Sequence, residues 1–309
     1  MKRLLLLGAC VLVTMSSVCA TRGELIYGLT AQGGLISFDS SSPGSVTNVG
    51  AVAGASAGQF FLNIDFRPAN GLLYGLAVNT ITGASNIYTI NTSTAAATMV
   101  GTTPFTLSVS IGGRVAMDFN PVTDQARVVS RNGSNYQVSP VTGTITASNT
   151  TLNYVPGDPG GSGIPDNVAL AHSNNVAGTP ATTLYGYSFN FDEVLRIGSA
   201  NGMPISPDTG QTFTIGGAMQ FPLTSNIGFD ISGSGAAFLT GNIGAQTLFS
   251  VNLATGRATT IGAIAGNPQL VSIAVAPVPE PDALRLLVLG AVAIAARKIF
   301  VRGRQSSVV

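Results

Sequence analysis

The most regular stretch of the chain lies between Leu62 and Gly101. Four short runs there, NIDFRP, LLYGLAV, NIYTINTST and ATMVG, carry apolar residues at alternate positions. Turn-forming residues break them at Pro68-Ala69-Asn70-Gly71, from Asn79 to Ser85, and from Asn91 to Thr94. Alternation over four to eight residues predicts half-buried strands, and Gly, Asn, Pro, Ser and Thr between the runs predict tight antiparallel turns. Four such strands in about 40 residues are the size of one propeller blade.

The pattern recurs. RVAMDFNP, QARVVSR, NYQVSPV and TGTITAS fill Arg114 to Ser148; NVALAHSN, TTLYGYSF, EVLRIGS and QTFTIGG fill Asn167 to Gly217; SNIGFDIS, AAFLTGN, TLFSVNL and RATTIGA fill Ser225 to Ala263. The landmarks Tyr74, Val128, Tyr185 and Phe238 stand 54, 57 and 53 residues apart. Self-similarity at a fixed period predicts a radial array. The first unit, Glu24 to Val52, has ELIYGLT, GLISFDS and SVTNVGAV but no strand like NIDFRP before them. A candidate for the missing strand, LVSIAVAP, stands at the other end, from Leu270 to Pro277. Pairing it with the first unit would leave no open sheet edge. The expectation is an all-β, five-bladed propeller over residues 21–277, closed by strand exchange between its ends.

The flanks differ in kind. Lys2 and Arg3, the apolar run LLLLGACVLV and Val18-Cys19-Ala20 before Thr21 have the layout of a secretory signal peptide over residues 1–20, with a signal helix. Both cysteines, Cys10 and Cys19, fall inside it, so the exported domain would have neither thiol nor disulfide. Between Thr21 and Ala276, seven Arg and no Lys face eleven Asp and Glu, leaving that stretch at −4 with His172 neutral. A weakly acidic, Lys-free surface argues against nucleic acid as a partner, because phosphate binding needs clustered cations. Residues 278–309 hold Val278-Pro279-Glu280-Pro281, a 14-residue apolar run from Ala283 to Ala296 containing Arg285, and then Arg297-Lys298. A transmembrane sorting helix over about 283–301 follows if Arg297 and Lys298 snorkel. Basic residues after the span place the repeat domain outside the membrane.

This tail resembles the PEP-CTERM sorting signal of Gram-negative bacteria in its VPEP box, short apolar helix and basic cluster. It departs from that signal in the Arg inside the helix and in the eleven residues after Lys298. The resemblance implies export, an inner-membrane-anchored precursor, recognition by an exosortase, cleavage near Pro279-Glu280-Pro281, and delivery to the cell surface or beyond. The body, in IDFRPANGLLYGL, MDFNPVTDQARVVS and TTLYGYSFNFDEVLRI, resembles a secreted bacterial family known as a domain of unknown function. That likeness implies a propeller-like fold and carries over no catalytic residue.

Candidate chemistry is sparse. Asp65 and Asp118 occupy one position in the first strand of their blades, and first strands line the channel of a propeller. Facing carboxylates suit a cation, a cationic ligand or acid/base work; the plainer expectation is that each accepts bonds from backbone amides or from Arg67, Arg114 or Arg127. In blade five the equivalent position is Gly228 or Asp230, and in the last strand Ala274, which leaves a ring read as having two acids. His172 is the single histidine, which excludes His-rich metal centres by count; a polar strand end beside Asn174 and Asn175 is its expected place. Asp158 and Asp166 in the long Pro/Gly-rich loop Asn149 to Asp166 could hold Ca²⁺, but the spacing fits no EF-hand, so no cofactor is expected. That loop and the insertion NGMPISPDTG read as solvated linkers, Asp192-Glu193 as a solvated acidic pair, and the recurring Tyr27, Tyr74 and Tyr185 as blade core. A non-enzymatic binding or structural role follows, toward exopolysaccharide or a surface protein; the alternative is a hydrolase or lyase acting on extracellular carbohydrate through the channel acids.

Overall fold

The computed structural model describes residues 23–109, 113–217 and 222–277. The expected signal peptide and sorting segment lie outside the described residues.

Local chemistry fixes the hairpins. Five turns share one design, Asn79–Gly83, Asn91–Ala95, Asn120–Asp124, Ser139–Gly143 and Asn252–Gly256. In each, the side-chain oxygen of the first residue accepts the N–H groups of the second and third residues after it. The N–H of the fifth residue returns to the first carbonyl. That residue sits at φ between 56° and 76°, the left-handed region where glycine is cheapest and Asn or Asp tolerable. Such side-chain bonds offer the backbone a tight reversal, so the strands on either side pair at once.

Blade I holds β1 (Leu25–Thr30), β2 (Gly34–Asp39) and β3 (Ser42–Ala51). Blade II holds β4 (Phe60–Phe66), β5 (Leu73–Val78), β6 (Ala84–Ile90), β7 (Ala97–Met99) and the short β8 (Phe105–Thr106). Blade III holds β9 (Val115–Phe119), β10 (Ala126–Ser130), β11 (Asn135–Val138) and β12 (Ile145–Asn149). Blade IV holds β13 (Asn153–Tyr154), β14 (Asn167–His172), β15 (Leu184–Ser188), β16 (Glu193–Ile197) and β17 (Gln211–Thr214). Blade V holds β18 (Thr224–Ile231), β19 (Ala237–Asn242), β20 (Gln246–Asn252) and β21 (Arg257–Ala263). The last strand, β22 (Leu270–Val275), pairs antiparallel with β1, Tyr27 opposite Ala274, and so supplies the inner strand of blade I. The expected strand exchange is present.

The inner strands β22, β4, β9, β14 and β18 pack in a ring, each against the next. The apolar alternation is spent between blades rather than at one centre. Separate clusters fill the five seams: Ile64, Phe66 and Tyr88 between I and II; Met117, Phe119 and Tyr74 between II and III; Val129, Leu170 and Leu184 between III and IV; Ile227, Phe229 and Tyr187 between IV and V; Phe38, Phe238 and Ile273 between V and I. Tyr27 meets Phe66 edge-on at 5.6 Å and Tyr74 meets Phe119 at 5.0 Å, so the recurring tyrosines are seam core. At the V–I seam the strands approach closely. A Cβ on Gly228 would lie 2.6 Å from the Ile273 nitrogen, which is why this axial position has no side chain.

The two long insertions are tied to the blades at particular residues, although much of each, Ile164 and Met203 included, is exposed. Part of the 149–166 loop forms β13, which adds a parallel strand beside β17. Asp208, in the blade IV insertion, accepts bonds from Arg127, Gln137 and Asn149 of blade III. Both corrections have one cause: a polar loop residue facing another blade gains partners that its own neighbours in sequence do not show.

Candidate functional site at the axis

Register identifies the equivalent inner-strand position in every blade. Asp65 stands opposite Tyr74, Asp118 opposite Arg127, Ala171 opposite Tyr185, Asp230 opposite Phe238 and Ala274 opposite Tyr27. The blade V counterpart is therefore Asp230, not Gly228, and the ring has three acids, not two. The blade III landmark is Arg127 rather than Val128.

Each acid reaches across its seam to the backbone of the next blade. Asp65 Oδ2 accepts the Phe119 N–H at 2.7 Å, Asp118 Oδ1 the His172 N–H at 2.9 Å, and Asp230 Oδ2 the Val275 N–H at 2.6 Å. Asp230 Oδ1 also accepts the Ile231 N–H at 2.6 Å. One oxygen from each of the three carboxyls falls within 4.8 Å of the others, and all three residues are buried. Burial drives their pKa values well above the ordinary carboxylate range; for Asp65 and Asp230 the neighbouring acids push the same way, against the backbone N–H bonds. Among the described residues, no arginine pairs with any of the three.

His172 belongs to this group. It is buried at the end of β14, with Nδ1 2.5 Å from Asp118 Oδ1 and no partner at Nε2 among the described residues. Burial, with Arg127 nearby, pushes its pKa down to about 3, so the ring is neutral at neutral pH. His172 does stand at a strand end, as expected, but its burial against Asp118 goes beyond that expectation. The signal that could have found it is positional: His172 follows Ala171, the axial position of its blade.

Arg67 and Arg127 do not pair with the axial acids. Arg67 binds Asp124 on the neighbouring blade and donates to the Tyr74 hydroxyl at 3.2 Å. Arg127 is buried between Asp208, at 2.6 Å, and Asn135, at 2.9 Å. Asp158 accepts from Thr214 and the Gly160 N–H, and Asp166 pairs with Arg131. Glu193 is buried against the Tyr154 hydroxyl rather than solvated, while Asp192, partly exposed, accepts from the Tyr187 hydroxyl. Val278, Pro279, Glu280, Pro281, Arg297 and Lys298 lie outside the described residues.

Three recesses lie away from the acids. One of about 660 Å³ runs along the 150–156 segment. One of about 190 Å³ lies between blades III and IV and is bordered by His172, Arg127 and Asp208. The third, about 310 Å³, opens beside the first residues of the inner strands and is lined by Phe60, Leu62, Arg114, Val115 and Val271 among others. There the Arg114 guanidinium, half-buried and 6.0 Å from the Phe189 ring, has no ion-pair partner among the described residues. Phe60 at the lip is 68% exposed.

Five sheets of four or five strands closed around an axis define a five-bladed β-propeller. Residues 34–274 match the family described as a domain of unknown function, DUF4394, and the chain belongs to that family. No curated protein matches the chain. Among solved structures, a protein of unknown function from Bacteroides thetaiotaomicron is 14% identical with a TM-score of 0.47, over 77% of this chain and 58% of that one. A second, from Bacteroides caccae, is 10% identical with a TM-score of 0.41, over 77% of this chain and 72% of the other. A nidogen/laminin complex gives 10% identity and a TM-score of 0.40, over 82% of this chain and 98% of that one. The chain thus spans under two thirds of the length of the first of these.

Proposed function

We propose that the protein is an exported, non-enzymatic binding disc, carried through an inner-membrane precursor and released or attached outside by an exosortase acting at Pro279-Glu280-Pro281. The observation that carries the non-enzymatic part is the burial of every axial acid, each with an oxygen committed to the backbone of the next blade. A hydrolytic site needs titratable groups that converge on an open pocket. The recess around Arg114 has mainly apolar walls among the described residues, and the nearest acid acting on that cation, Asp166, is already paired with Arg131.

This recess suits an acidic ligand on a flat carbon skeleton. Arg114 would hold a carboxylate or sulfate, and exposed Phe60 would lie against the ring of a sugar. An anionic exopolysaccharide fits both. The test is a glycan array that includes uronic-acid polymers, run beside a broad panel of hydrolase and lyase substrates. Binding that falls at least about tenfold in Arg114→Gln, without turnover, supports the reading. Turnover abolished by Asp65→Asn would reject it. For the sorting part, alanines at 279–281 should hold the protein at the inner membrane; unchanged delivery would sink that half alone.

A further inference from the structure

The axial carboxyls have a feature that a purely structural role leaves unexplained. Asp65 uses Oδ2 for the Phe119 N–H, while Oδ1 makes no well-formed hydrogen bond, the Phe66 N–H acting on the carboxyl less than that of Phe119, and the residue is 2% exposed. Two residues earlier on β4, and so on the same face, Asn63 is 5% exposed and its Oδ1 is likewise without a partner. Two orphaned, buried oxygens therefore sit one above the other on the axial face of a single strand. A buried acceptor with nothing to accept costs about 1–3 kcal/mol. Beside them stand Asp118 and Asp230, again oxygen ligands, and among the described residues no arginine forms an ion pair with any of the three acids.

We propose that the propeller axis binds one divalent cation of the calcium class, ligated by Asp65, Asp118 and Asp230 with the Asn63 side-chain carbonyl as a further oxygen. The chemistry selects the ion. The donors are all hard oxygens, which suit Ca²⁺ or Mg²⁺ rather than thiolate- or imidazole-seeking metals. No two of the three carboxylate donors are more than 4.8 Å apart, within the span of about 4.6–5.2 Å that two oxygens reach across one Ca²⁺. Mg²⁺ keeps several of its waters, and this position is enclosed by five packed strands. The ion would tie blades II, III and V to one another at the axis itself, in addition to the bonds that each axial Asp makes to the next blade. It would act as a structural rivet and as nothing in the ligand recess, so this inference stands apart from the binding reading.

The geometry supplies a clean variant. Asp65→Asn keeps an acceptor for Phe119 and puts an NH₂ where the orphaned oxygen was, so it should fold. Asp230→Asn would set an NH₂ against a backbone N–H, because both Asp230 oxygens are already accepting. The experiment uses the full chain purified in detergent, stripped with EDTA and melted in EDTA, 1 mM CaCl₂ or 1 mM MgCl₂, with bound metal measured by mass spectrometry after dialysis. The expected result is one calcium per chain and a calcium-dependent rise in Tm of at least about 5 °C, with calcium affinity at least about tenfold lower in Asp65→Asn and Asn63→Leu. No bound metal together with identical melts in all three buffers would overturn the proposal, and so would a calcium shift unchanged in both variants. In either case Asp65→Asn should be neutral or stabilising, because it then only removes one of three crowded acids.

Discussion

Blades II, III and V carry Asp at the axial position, and blades IV and I carry Ala171 and Ala274 there. The comparison separates two ways of joining blades. Where Asp is present, a side chain from one inner strand ties down a backbone N–H of the next: Phe119, His172 or Val275. Where Ala is present, other groups take over. At the I–II seam Ser272 Oγ accepts the Ile64 N–H at 3.1 Å and donates to the Ile64 carbonyl at 3.2 Å. At the IV–V seam the Ile231 N–H is taken by Asp230 of its own strand. The repeat therefore fixes strand positions but not seam chemistry, and acids collect on the axis only where the neighbouring strand leaves a donor to meet.

The sharpest way to break the comparison is to remove a whole inner strand. Deleting 270–277 strips blade I of β22 and opens the V–I and I–II seams together, so cooperative thermal unfolding should disappear from calorimetry; a melt like that of the intact chain would mean the ring does not need closure. Next is Asp118→Ala, which orphans both the His172 N–H and its Nδ1. A loss of about 3 kcal/mol or more is expected in urea titrations, the sum of two buried groups left unpaired and a small cavity. Ser272→Ala tests the substitute bond at an alanine seam, and about 1–2 kcal/mol should go, since one buried N–H loses its acceptor. A seam I–II that is indifferent to this change would show that apolar packing alone holds it.

The smallest effect concerns pH. Burial raises the Asp192 pKa to about 6, against the lowering pull of the Leu223 N–H. The folded carboxyl then holds its proton more tightly than the unfolded one, so its contribution is complete below pH of about 4 and is lost as pH climbs through about 6. The side chain is partly exposed, so the loss is on the order of 1 kcal/mol. Asp192 sits at φ 54°, which Asn also tolerates. Asp192→Asn should flatten that part of the stability–pH curve relative to the parent chain, and parallel curves would refute the assignment.

Much of this architecture was legible in the sequence because alternation and turns are local. The strands of Leu62–Gly101, the four copies and the closing strand at Leu270 follow from residues a few positions apart. The axial group was only half legible. Asp65 and Asp118 stand 53 residues apart, as do Asp118 and Ala171, but Asp230 follows Ala171 by 59. Gly228 and Asp230 share a strand face, so a period of two cannot choose between them; the partner strand decides, with Phe238 opposite Asp230. His172 read only as a polar strand end beside Asn174 and Asn175, because the acid that it packs against lies 54 residues earlier. Arg127 and Asp208 are 81 residues apart, and nothing near either announces the other.

The strand that completes the first blade, β22, follows every other described strand in the chain. Until it is in place, β1 has a bare edge and β4 and β18 have a gap between them, so closure of the disc must wait for the final residues of the domain. Pro277 follows that strand by two positions, so any pull on the chain beyond it loads the innermost ring directly. A tethered copy under tension would let go at this one zipper, while its outer hairpins stayed whole.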